Sequence, residues 1–166
     1  NRVMKWRKLL LVLALGGAAF AGLRGCLPSD QKRILRLLTS LAEDVSAPAQ
    51  GRTLADLAAA NRVADHFAPG FRIQVTVPGA PDVAVSDRAE LIQTIAAAKG
   101  RTRQVNVRFL DPQTVELGPA SAVIEATAQA QVSGDPELYV VEIRFTLAKL
   151  EGRWRVRQVE NVPTFE

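Results

Sequence analysis

The 166-residue chain predicts an α+β domain in which a curved antiparallel sheet of four to five strands wraps around three N-terminal helices, preceded by an apolar export or anchor segment. Three observations lead there. Apolar residues recur at helical period mainly before Gly100, they alternate at strand period after it, and one long charge-free run stands near the start of the chain. The expected division is a segment over 1–26 and one domain over 27–166.

The leader comes first. Met4-Lys5-Trp6-Arg7-Lys8 is basic, and the fifteen residues from Leu9 to Leu23 carry no charge, the pattern of a secretory signal. At a helical rise of about 1.5 Å per residue such a run reaches roughly 22 Å, short of the ~30 Å hydrocarbon core of a bilayer, so it is a marginal span. Three fates remain open. Leu23-Arg24-Gly25-Cys26 resembles a bacterial lipoprotein signal with Cys26 at the lipidation position, although Arg24 departs from the pattern. Ala19-Phe20-Ala21 offers a small-residue cleavage site. Without either, the segment remains as an anchor with its basic end in the cytoplasm. All three put the domain in the cell envelope, on the periplasmic or extracellular side.

Ser29-Asp30 can cap a helix whose Ile34, Leu35, Leu37, Leu38, Leu41 and Val45 form one stripe. Thr53 and Asp56 have capping-box spacing before a second stripe of Leu57, Ala60, Val63, Ala64 and Phe67, which Pro69-Gly70 should stop. Asp87 and Glu90 repeat the box ahead of Leu91, Ile92, Ile95 and Ala96, with Lys99-Gly100 as the end. Phe71, Ile73, Val75 and Val77 alternate with polar residues as one strand. Later strands show Val105, Val107 and Phe109; then Ile124 to Val132; then Tyr139, Val141, Ile143, Phe145 and Leu147. Glu151-Gly152 predicts a tight hairpin into a last strand from Arg153 to about Val162. Lengths near a dozen residues require the sheet to coil or bulge.

Charge excludes some functions. Arg2, Lys5, Arg7, Lys8 and Arg24 lie in the leader, leaving 16 of the 21 basic residues beside all 17 acidic ones. A nearly balanced domain gives no reason to expect nucleic acid. One His and one Cys supply no zinc or iron ligand set, and no nucleotide-binding or nucleophile-elbow motif occurs, so no cofactor and no metal are expected. Glu125, Gln129, Glu142, Arg144, Arg153, Arg155 and Arg157 should share the polar sheet face, as cross-strand pairs or as the surface of a homodimer.

The early helix pair, the strand Phe71-Arg72-Ile73-Gln74-Val75, the capped Asp87-Arg88-Ala89-Glu90-Leu91 helix and the closing Leu150-Glu151-Gly152-Arg153-Trp154-Arg155-Val156 hairpin resemble the nuclear-transport-factor-2-like superfamily. This is the α+β cone of ketosteroid isomerases, scytalone dehydratases, polyketide-cyclase-like proteins and many accessory domains. The resemblance covers nearly the whole domain. It implies that polar side chains entering the cone's open end would do any chemistry. Unbroken alternation from Trp154 and Val156 would turn Gln158 and Glu160 inward, so Glu160, Tyr139 and His66 are the candidate catalytic groups. Trp154, Gln158 and Phe145 are the candidate ligand-binding residues. Each also has a plain structural reading: hydrated carboxylate, core aromatic, helix-end histidine. No catalytic constellation of the superfamily's enzymes can be matched residue by residue. The leading expectation is therefore a membrane-tethered domain that works without catalysis, by self-association or by binding another envelope protein or a small apolar ligand. The alternative is an isomerase, dehydratase or cyclase with a pocket acid/base.

Overall fold

The computed structural model describes residues 29–51, 53–79, 82–101 and 104–162. The leader and Cys26 lie outside the described residues. The chain divides into a short unit, Asn1–Arg33, and a domain, Ile34–Glu166. Element order is α1 (Asp30–Ser46), α2 (Thr53–Asp65), β1 (Phe67–Val75), β2 (Val83–Val85), α3 (Arg88–Arg101), β3 (Val105–Leu117), β4 (Ser121–Val132), β5 (Leu138–Leu150) and β6 (Arg153–Asn161).

The three expected helices form, each with a local cause. Asp87 caps α3 by accepting hydrogen bonds from the backbone N–H groups of Ala89 (2.8 Å) and Glu90 (3.0 Å). In α2 the buried face differs from the expected stripe. Leu57 is 40% exposed, whereas Asp56 is buried and accepts from the Gln50 N–H at 2.9 Å, fastening the preceding turn to the helix. That bond meets the demand of a buried carboxylate, so the polar residue can sit inside while the leucine turns out.

The sheet has six strands, not four to five, in the order β2-β1-β6-β5-β4-β3. It is mixed rather than antiparallel throughout, because β1 runs parallel to β6. Alternation reports which face a residue occupies and nothing about strand direction, so the sequence pattern was blind to this pairing. Two further differences concern breakers. Gly70 adopts φ +69° within β1, so Pro69-Gly70 makes a bulge inside the strand instead of ending the helix. Asp111, at φ 49°, does the same beside Pro112, and β3 continues to Leu117 through two register shifts. The expected Glu151-Gly152 turn is present with both residues at positive φ, 49° and 77°, the geometry of a two-residue hairpin.

One apolar cluster fills the space between helices and sheet. Ile34, Leu38 and Leu41 of α1 meet Val63 of α2, Ile124 and Ala126 of β4, Ile143, Phe145 and Leu147 of β5, and Trp154, Val156 and Val159 of β6. The Phe109 and Phe145 rings meet edge to face, 5.0 Å between centroids and 77° between planes. A second cluster joins Ala64, Phe71, Val85 and Leu91, which explains why β2 packs on that side of the sheet.

Register in β6 overturns one expectation. Val156 faces Leu147 and Gln158 faces Thr146, which leaves Arg157 without a partner on β5. The bulge resets the alternation. Val159 is buried with 7% exposure and pairs with Phe145, while Glu160 pairs with Arg144 on the polar face. Gln158 and Glu160 therefore point away from the core.

Candidate functional site

Trp154 and Phe145, expected to meet a ligand, are 4% and 1% exposed and form the cone's filling. Gln158 donates its side-chain N–H to Glu160 at 2.8 Å on the outer face. On the same face Arg144 grips Glu125 through Nε at 2.9 Å and a terminal nitrogen at 2.6 Å, and Thr127 bonds Glu142 at 2.6 Å. These are the cross-strand pairs that the charge pattern implies.

Tyr139 lies at the start of β5, its hydroxyl 3.3 Å from Asp135 and 3.5 Å from Glu137. The negative charge of Asp135, then of Glu137, pushes the phenol above its ordinary value near 10.0. His66 follows α2, and its Nε2 lies 2.7 Å from Asp44 of α1, which Arg62 also approaches at 3.4 Å. The His66 carbonyl accepts from the Val156 N–H, fixing the histidine's backbone to β6. Glu160, Tyr139 and His66 are thus each engaged at a different place and do not converge. None of the three lines the groove between α1 and β3 or the cleft at the β5–β6 hairpin.

The groove between α1 and β3 is markedly apolar. Its volume is about 610 Å³, and Leu35, Leu38, Ala42, Val107, Phe109 and Leu110 line it with Glu43 and Arg108 at the rim. Ser46 holds the last turn of α1 onto the strand, accepting from the Val107 N–H at 2.8 Å and donating to the Val107 carbonyl at 3.2 Å. The sequence carried a trace of this groove. The apolar stripe of α1 is broader than its buried face: Leu35, Leu37 and Val45 are half-buried, and while Leu37 and Val45 pack on the core, Leu35 lines the groove.

Lys99 is the other group that pattern reading missed. It is buried, yet its Nζ donates to the carbonyls of Val45 and Ala47 at the end of α1. Burial lowers its pKa from the ordinary 10.5, outweighing the favourable field of Asp56; Arg62 lowers it further and Asp44 opposes. A structural role, closing the C-terminal carbonyls of α1, accounts for it fully. Among the described residues no three His, Cys, Asp or Glu side chains gather into a set able to hold a metal.

A cone of three helices against a coiled six-stranded sheet is the cystatin-like, nuclear-transport-factor-2-like fold, and solved structures share it. A candidate scytalone dehydratase from Novosphingobium aromaticivorans superposes with a TM-score of 0.59 at 14% identity, over 82% of this chain and 85% of its own. A cystatin-like-fold protein of unknown function from Nostoc punctiforme gives 0.59 at 15%, over 84% and 96%. A candidate calcium/calmodulin-dependent protein kinase II association domain from Xanthomonas campestris gives 0.59 at 14%, over 83% and 91%. At such identities the likeness defines the fold alone. No family model and no curated protein matches the sequence.

Proposed function

We propose that this protein is a membrane-tethered, extracytoplasmic binding domain that holds a small apolar ligand between α1 and β3 and performs no chemistry on it. The groove carries the reading. Its volume falls within the roughly 300–1,000 Å³ usual for small-molecule sites, its walls are aliphatic and aromatic, and its charged groups sit at the rim. The candidate acid and base groups are committed to other partners away from it. The tether is supported by the basic-then-apolar leader and by Cys26 in its lipoprotein-like setting.

Titration with a naphthylamine probe that fluoresces in apolar surroundings tests the groove. The full chain should bind it, and Leu35→Glu with Leu110→Glu should abolish binding while far-ultraviolet circular dichroism stays unchanged. Undiminished probe binding in that variant removes the groove as the site. Metabolic lipid labelling of the wild type and of Cys26→Ala separates a lipid anchor from the other tethers.

An enzymatic second reading rests on one observation, the 2.7 Å His66–Asp44 pair, which has the form of an oriented general base. It requires that His66→Ala remove a turnover that the groove variant leaves intact, because His66 does not line the groove.

A further inference from the structure

A second cavity, of about 760 Å³, opens where the β5–β6 hairpin meets the start of β1 and the first residue of α3. Four cationic side chains line it, Arg88, Lys149, Arg153 and Arg155, against two carboxylates, Asp65 and Glu151. The geometry points to a binding site for a phosphate monoester, held chiefly by the guanidinium groups of Arg153 and Arg155.

The cleft has a net surplus of two positive charges, and a phosphate monoester near neutral pH carries about −1.5 to −2. The four cations differ in availability. Arg88 donates to Asp65 at 2.7 Å, so this pair forms a largely neutral wall. Lys149 lies over the Trp154 ring, 5.5 Å from its centroid, which fixes its stem against β6. Arg153 and Arg155 make no ion pair with any acidic residue among the described residues. Two guanidinium forks on one side of a concavity match the oxygen geometry of phosphate better than point charges do. The register Leu150 opposite Arg153 and Lys149 opposite Trp154 puts Arg153 and Arg155, two residues apart, on one face of β6 and Lys149, with Trp154, on the other. Arg157, third in the arginine series, is absent from the lining; it occupies the bulge.

A phosphate monoester can reach this cleft as a free metabolite or as a lipid headgroup, and calorimetric titration of the full chain in neutral detergent distinguishes them. One arm uses glycerol 3-phosphate; the other uses micelles doped with phosphatidic acid, with phosphatidylcholine as the control. Binding in either arm supports the site. The free ester alone identifies a soluble ligand, and doped micelles alone identify a lipid headgroup. Arg153→Gln with Arg155→Gln should weaken binding about hundred-fold, some ten-fold for each charge-assisted hydrogen bond removed. Arg157→Gln should leave it unchanged. Should the double variant lose its circular dichroism spectrum, Arg153→Gln and Arg155→Gln made singly, each expected to weaken binding some ten-fold, keep the test. Absence of binding in both arms, or equal weakening with Arg157→Gln, overturns the proposal.

Discussion

Lys99 follows Leu91 and Ile95 at four-residue intervals, so helical period alone carries a lysine to the inward face of α3. The fold accepts it because two carbonyls at the end of α1 take its protons, although burial disfavours the charged form and lowers its pKa. Between that lowered value and the ordinary 10.5 the unfolded chain binds more protons than the native one, so stability rises with pH across this window. The contribution is complete above the unfolded value and is lost as pH falls through the folded one. Chemical denaturation of the wild type from about pH 8 up to the ordinary 10.5 should show this rise. Lys99→Met should flatten it, whatever fixed cost comes from leaving the carbonyls unbonded. Tyr139 offers a matching test: the chain has a single tyrosine, so its ultraviolet titration is unobscured. Phenolate should form above pH 10.0, and Asp135→Asn should move its formation down because Asp135 is the largest cause of the shift.

The strand β6 shows what a single unpaired residue does to an element. Arg157 sits without a partner on β5, and beyond it Val159, not Glu160, enters the core. Val159→Asp should therefore cost about 3 kcal/mol or more, the penalty of an unpaired buried charge, whereas Glu160→Ala should stay within about 1 kcal/mol in denaturant titration. Unbroken alternation predicts the reverse order. The elements whose patterns run without interruption, β4, β5, α1 and α3, are legible in the sequence almost to their ends, whereas α2 stops at Asp65 and leaves Phe67 to β1. Those with bulges are not, because Gly70, Asp111 and Arg157 resemble stops or ordinary strand positions until their neighbours are known. The same distinction governs the candidate sites. Trp154 and Phe145 were correctly turned inward, but whether an inward aromatic lines a void or fills it depends on helix packing that no strand pattern records. The groove between α1 and β3 involves residues sixty or more apart, which periodicity cannot join. Likewise Arg88 reaches the hairpin cleft only through the tertiary fold.

At the scale of the molecule, one cluster spans α1, α2 and three strands, so stability should be lost as a unit. Phe145 sits within that cluster at 1% exposure, and Phe145→Ala should reduce unfolding free energy by about 3–5 kcal/mol, shifting the denaturation midpoint without splitting the transition. A biphasic curve would show that the β1–β2–α3 side, with its own small cluster, melts independently. The parallel pairing of β1 with β6 has a temporal consequence. β6 sits between β1 and β5, so the seat beside β1 stays empty until Arg153–Asn161 has been synthesised. A nascent chain lacking its final hairpin partner has two separated half-sheets and cannot close over its core. Completion of the sheet is therefore a late event in synthesis, and truncation before β6 should leave a chain without cooperative unfolding.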